Sequence, residues 1–164
     1  MTTAFRFCQW TIALLGTGAY VVYGRSWRDL AHFVYDLPAN LTVFAFVGQI
    51  VAEGIDRQWT WFWVSRAAMF LGMGMVAAGR DFLGWQVSGH LTCVLAVALV
   101  QTADPRLGLW ERALYWAPLP IVLAIRWWLF DQGRHGQTGW AVVCAVLLAS
   151  WPLVAARFTA GPSQ

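Results

Sequence analysis

Two short polar stretches, set between apolar runs, hold the residues of this chain best suited to chemistry. The first is Arg80-Asp81-Phe82-Leu83-Gly84-Trp85-Gln86-Val87-Ser88-Gly89-His90, ending in Ser-Gly-His at the mouth of an apolar run. The second runs from Arg126 to Thr138 and carries Asp131, Arg134 and His135. Arg80, Arg126 and Arg134 supply positive charge, and their guanidinium forks donate in pairs to phosphate oxygens. A helix opening at Ser88-Gly89 adds backbone amides at its positive end. His90 and His135 offer one acid and one nucleophile, and Asp81 or Asp131 a carboxylate to orient an imidazole. Hydrolysis of a phosphomonoester without metal asks for this set: cations on the phosphoryl oxygens, a nucleophile in line, and an acid at the leaving oxygen. Cys8, Cys93 and Cys144 stand singly in apolar runs, with no metal-ligand spacing, and read as small packing residues. No metal and no other cofactor is expected.

The elements that must position these residues are apolar. The chain has 164 residues, 59% of them hydrophobic and 12% charged, with 12 Trp and no Lys, which is far too little charge for a soluble domain of this size. Six apolar runs, at about 4–24, 38–56, 60–79, 88–103, 113–130 and 139–157, predict an all-α polytopic membrane bundle forming one integral membrane domain over 1–164. The first run follows Arg6 and reads as a retained span rather than a cleaved signal. Both polar islands then fall on the same side of the membrane.

Between the first two runs, Trp27, Leu30, Phe33, Val34 and Leu37 follow a helical period, which predicts an amphipathic helix lying in the interface, with Pro38 opening the second span. His32 reads there as an interfacial histidine without a ligand. Pro118 and Pro120 should kink the fifth span. Glu53 and Arg66, near the ends of neighbouring spans, are expected to neutralise each other, and Arg126 to snorkel toward the islands. The net charge of +3 is spread thinly, so nucleic acid is not an expected partner, whereas membrane lipids are. Arg6, Arg57, Arg106, Arg112 and Arg157 fall on one side, and Arg25, Arg28, Arg80 and Arg134 on the other. That bias predicts cytoplasmic termini in a bacterial inner membrane, with both islands facing the periplasm.

On these residues the chain resembles the type-2 phosphatidic acid phosphatase superfamily, membrane enzymes that remove phosphate from lipids. That family has a six-helix core and three motifs, KxxxxxxRP, PSGH and SRxxxxxHxxxD. Val87-Ser88-Gly89-His90 is similar to the second motif, at the start of the fourth run, and Arg134-His135 to a reduced third motif between the fifth and sixth. The resemblance implies phosphate contacts from Ser88 and Gly89, His90 as acid, His135 as nucleophile and a lipid phosphate as substrate. The chain departs from the pattern at Val87, at Leu129 in place of the third motif's arginine and at Gly139 in place of its aspartate. Arg80 is a loose stand-in for the first motif. Two other readings use the same features. Tryptophan-rich faces and Gly72-Met73-Gly74 suit a non-catalytic subunit of a larger membrane assembly. His90 and His135 as axial ligands would make a b-type haem protein.

Overall fold

The computed structural model describes residues 3–24, 29–56, 59–130 and 135–159. Its elements are α1 (Thr3–Gly24), α2 (Leu30–Ile55), α3 (Trp61–Leu83), α4 (Gly89–Ala103), α5 (Leu109–Trp116), α6 (Pro118–Ile125), a π-helical turn (Arg126–Phe130) and α7 (His135–Thr159). No strand occurs among the described residues. Stretches within α2 (His32–Ile55), α3 (Trp61–Leu83) and α7 (Gln137–Phe158) are long and apolar enough to cross a membrane, and α4 is a shorter apolar helix. Large apolar side chains such as Phe7, Leu15, Met75, Trp110 and Leu147 face outward, as lipid-facing positions do.

α4 is the centre of the bundle. It packs against α2, α3, α5, α6 and α7, and Leu91, Val94, Val97 and Val100 are fully enclosed. A helix surrounded on all sides needs apolar residues all round, which is why its sequence shows little amphipathic pattern. α1 lies on α2 through small residues: Ala13 and Ala45 are buried, and a Cβ placed on Gly48 would stand 2.5 Å from the Gln9 carbonyl oxygen. Only glycine permits that backbone approach.

α2 overturns the expected interfacial helix. The chain from Leu30 does not lie apart from the second span but runs into it, with Pro38 inside one helix. Tyr35 and Asp36 are buried against the bundle instead of facing the surface. Side-chain bonds beside the proline tie neighbouring carbonyls: Asn40 Nδ2 donates to the Asp36 carbonyl at 2.8 Å and Thr42 Oγ1 to the Pro38 carbonyl at 2.8 Å. The prolines expected to kink the fifth run interrupt it. α5 ends at Trp116 and Pro118 opens α6, because Pro118 and Pro120 each remove a donor from the helical ladder.

Polar residues gather at the two ends of α2. Asp36 and Glu53, on the same helix, mark them and lie about 25 Å apart at the α-helical rise. At the Glu53 end, Arg66 pairs with Glu53 as the sequence predicts. Two further charges join them. Arg106 donates to Glu53 Oε1 at 2.8 Å and to Asp104 Oδ1 at 2.9 Å, and Arg66 Nη1 lies 3.5 Å from Asp104 Oδ2. Gln49 donates to Asp104 at 3.0 Å and accepts from Gln101. Two arginines and two carboxylates cancel, which lets Glu53, Arg66 and Asp104 stay buried between α2, α3, α4 and the α4–α5 connection, with Arg106 reaching them from the exposed side. Burial opposes the Asp104 charge, but the hydrogen bonds and charge of Arg106, helped by Arg66, hold its carboxyl below the usual range.

Candidate functional site

The other end of the bundle holds a pocket of about 360 Å³. The first polar island builds half of it. α3 stops because Gly84 takes a left-handed conformation (φ 68°), and the Trp85 amide closes the end on the Gly79 carbonyl at 3.2 Å. Arg80, one turn before that stop, is thereby aimed back at the opening of α4: its Nη1 lies 3.4 Å from where a Cβ on Gly89 would be. Ser88 is the N-cap of α4, with its hydroxyl 3.5 Å from the Leu91 amide. Ser88, Gly89 and His90 all line the pocket together with Arg80.

The opposite wall comes from α2 and from the junction of α6 with α7. Tyr35 Oη is 3.2 Å from Ser88 Oγ, and its ring meets the His90 ring edge-on at 4.7 Å. Asp36 Oδ1 lies 3.1 Å from His90 Nε2. Arg126 opens the π turn and is buried, a local widening of the helix often found at functional positions. It donates to Gln137 Oε1 at 2.9 Å and to Thr138 Oγ1 at 3.3 Å, and Gln137 donates to Gln86 in the first island. The two islands are therefore joined directly.

Of the residues singled out in the sequence, Arg80, Ser88, Gly89, His90 and Arg126 come together on this pocket. Asp81 does not line it; it pairs with Arg80 Nε at 2.8 Å. Asp131, Arg134 and the side chain of His135 lie outside the described residues. The carboxylate beside His90 is Asp36, which the sequence reading passed over together with Tyr35, Tyr20 and Gln137. One signal for them was readable: His32, Tyr35 and Asp36 fall at i, i+3 and i+4, a polar face on an otherwise apolar helix. His32, read from sequence as an interfacial residue, is also on the pocket wall.

Chemically, the pocket offers two guanidinium groups, a helix amino end, an imidazole backed by a carboxylate, and a tyrosine–serine hydroxyl pair. Such a set of groups can hold an anion and place a proton donor beside it. Comparison with protein-family models, curated proteins and solved structures gives no match for the chain.

Proposed function

We propose that the chain is a six-span membrane protein with cytoplasmic termini, whose pocket faces the periplasm of a bacterial inner membrane and holds the phosphoryl group of a lipid phosphate for hydrolysis. The spans in this reading are α1, α2, α3, α4, the α5–α6–π segment and α7. One observation carries the functional part: Arg80 and Arg126, from separate helices, line one pocket with His90 and the amino end of α4. Asp81 holds Arg80, and Gln137 and Thr138 hold Arg126, so both guanidinium groups are positioned at the pocket, where a phosphomonoester would present oxygens to them. Its apolar tail finds room along α2, whose next turns (Pro38, Leu41, Ala45) line a second cavity of about 140 Å³ reaching toward Leu114 and Pro118.

In this reading the arginines and the Ser88–Gly89 amides hold the oxygens, and His90, oriented by Asp36, protonates the departing alcohol. His135 is the nucleophile by the family resemblance. The test uses the full chain in detergent, with a glycerolipid phosphate and a polyprenyl phosphate as substrates and orthovanadate as competitor. Phosphate release that falls at least tenfold in Arg126→Gln and His90→Gln supports the reading. Vanadate binding without turnover of either lipid would make the protein a phosphate-binding, non-catalytic membrane subunit. Absence of both would end the phosphate reading. Labelling Gln86→Cys from outside intact cells, in a background lacking Cys8, Cys93 and Cys144, tests the orientation; labelling only from the cytoplasm reverses it.

A further inference from the structure

His32 and Asp29 form a second imidazole–carboxylate pair at the same pocket. His32 Nδ1 lies 2.6 Å from Asp29 Oδ2, and His32 lines the pocket that also holds His90, Arg80 and Arg126. The pair belongs to α2: Asp29 immediately precedes the helix, and His32 lies on the same face as Tyr35 and Asp36, one turn away. A carboxylate only accepts, so Asp29 fixes the proton of a neutral His32 on Nδ1 and makes Nε2 the basic nitrogen. The two pairs differ in access to water: His32 is 53% exposed in its side chain, whereas His90 is 19% exposed and Asp36 9%.

We propose that His32, oriented by Asp29, is a catalytic base of this pocket, taking the proton of the water that releases the phosphoryl group from the nucleophile after His90 has protonated the departing alcohol. The inference rests on the reading of the pocket as a phosphoryl site. In the step assigned to it, the water oxygen bonds to phosphorus and its proton passes to His32 Nε2. The bond from phosphorus to the nucleophile's imidazole nitrogen breaks, and its electron pair returns to that nitrogen. His32 then returns the proton to solvent, to which its exposure gives it direct access. The division of labour follows the geometry: a base that meets water belongs at the exposed rim, and an acid for the leaving group belongs in the enclosed position. Among the described residues, the charged and titratable groups around His32 are Asp29, Tyr35 and Asp36 on its own side, Tyr20 from α1, Arg80 from α3, His90 from α4 and Arg126 from the π turn.

The chain has 3 histidines, so a histidine-labelled sample of the whole protein gives few imidazole signals, assignable by single substitution. Orthovanadate is the probe. The expected result is that the signals of His32 and His90 both move on its addition. Movement of His90 alone overturns the role of His32 and leaves the phosphoryl pocket standing; no movement of either overturns both. In turnover of the glycerolipid phosphate, His32→Gln should lower kcat about 100-fold with little change in KM. It should also lose the ascending limb of the pH–rate profile, and added imidazole should restore part of the rate of His32→Ala. A His32→Gln enzyme with wild-type kcat and an unchanged ascending limb refutes the proposal.

Discussion

Asp36 and His90 meet across the interface of α2 and α4, with Oδ1 3.1 Å from Nε2. The contact links the chemistry of the pocket to the packing of the bundle, because α4 is the central helix and α2 the one that also carries Glu53 at the far end. Tyr35, beside Asp36, repeats the link through its hydroxyl on Ser88. An imidazole held on one edge by a carboxylate and on its face by an aromatic ring has little freedom to turn, which is the preorganisation a proton-transfer group needs.

Replacing Asp36 by Asn keeps the shape and removes the charge. With phosphate release as the readout, the proposed orienting of His90 by Asp36 predicts that Asp36→Asn lowers kcat on the order of 100-fold and alters KM little. A drop confined to KM would place Asp36 in binding rather than in orienting His90.

The Glu53 end calls for a different experiment. Removing one partner of a buried ion pair strands the other, at a cost of about 3–5 kcal/mol. Glu53→Gln and Arg66→Gln should each destabilise the detergent-solubilised protein by that order, and the double variant by clearly less than the sum. Arg66→Lys should not rescue, since a point charge lacks the fork that reaches both Glu53 and Asp104. Additive losses in unfolding midpoints would mean that the pair is not coupled.

How far the sequence carries this picture differs from element to element. Helix positions were legible because apolar runs are separated by Gly84 and short polar stretches, because Pro118 and Pro120 mark the kink in the fifth run, and because Ser88 is a strong N-cap residue. The Ser88–Gly89–His90 opening of α4 and the placement of Arg80 and Arg126 in polar stretches were legible for the same reason. The partners were not. Tyr35 and Ser88 are 53 residues apart, and which face of α2 meets α4 depends on how the helices rotate against each other, which periodicity alone does not fix. Asp104 and Arg106 sit in a connection, where charged residues look like ordinary solvated ones; only packing shows that Asp104 is wholly enclosed.

Asp104 also sets a pH dependence. Burial raises its pKa, but the bonds and charge of Arg106 outweigh that and leave it below 3.8. A carboxyl depressed in the folded state contributes stability that is present in full above its unfolded pKa and lost as pH falls through the folded one. Between neutral pH and about pH 4 this contribution should therefore stay intact, and it should fade only in stronger acid. Asp104→Asn should be less stable than the parent at pH 7, with the gap narrowing below about pH 4. A gap that stays constant down to pH 2 would show that the charge of Asp104 adds nothing.

The seating of α1 rests on Gly48. A Cβ there would stand 2.5 Å from the Gln9 carbonyl oxygen and 2.9 Å from the Gln9 Cα. These are backbone atoms, so no side-chain rotation relieves the clash, and α1 itself must move away from α2. That shift also strains the two contacts tying α1 to α5, the Gln9–Tyr115 hydrogen bond at 2.8 Å and the Arg6–Glu111 ion pair at 2.9 Å. Gly48→Ala should therefore destabilise by about 1–3 kcal/mol, although alanine is the better helix former. Gly18→Ala is the matched control: it lies in the same helix pair, meets nothing within 4 Å and should be neutral or slightly stabilising. Because α1 brings Tyr20 to the pocket, Gly48→Ala should weaken vanadate binding as well, and Gly18→Ala should not. Equal unfolding midpoints for the two variants would show that α1 does not dock on α2 through this contact.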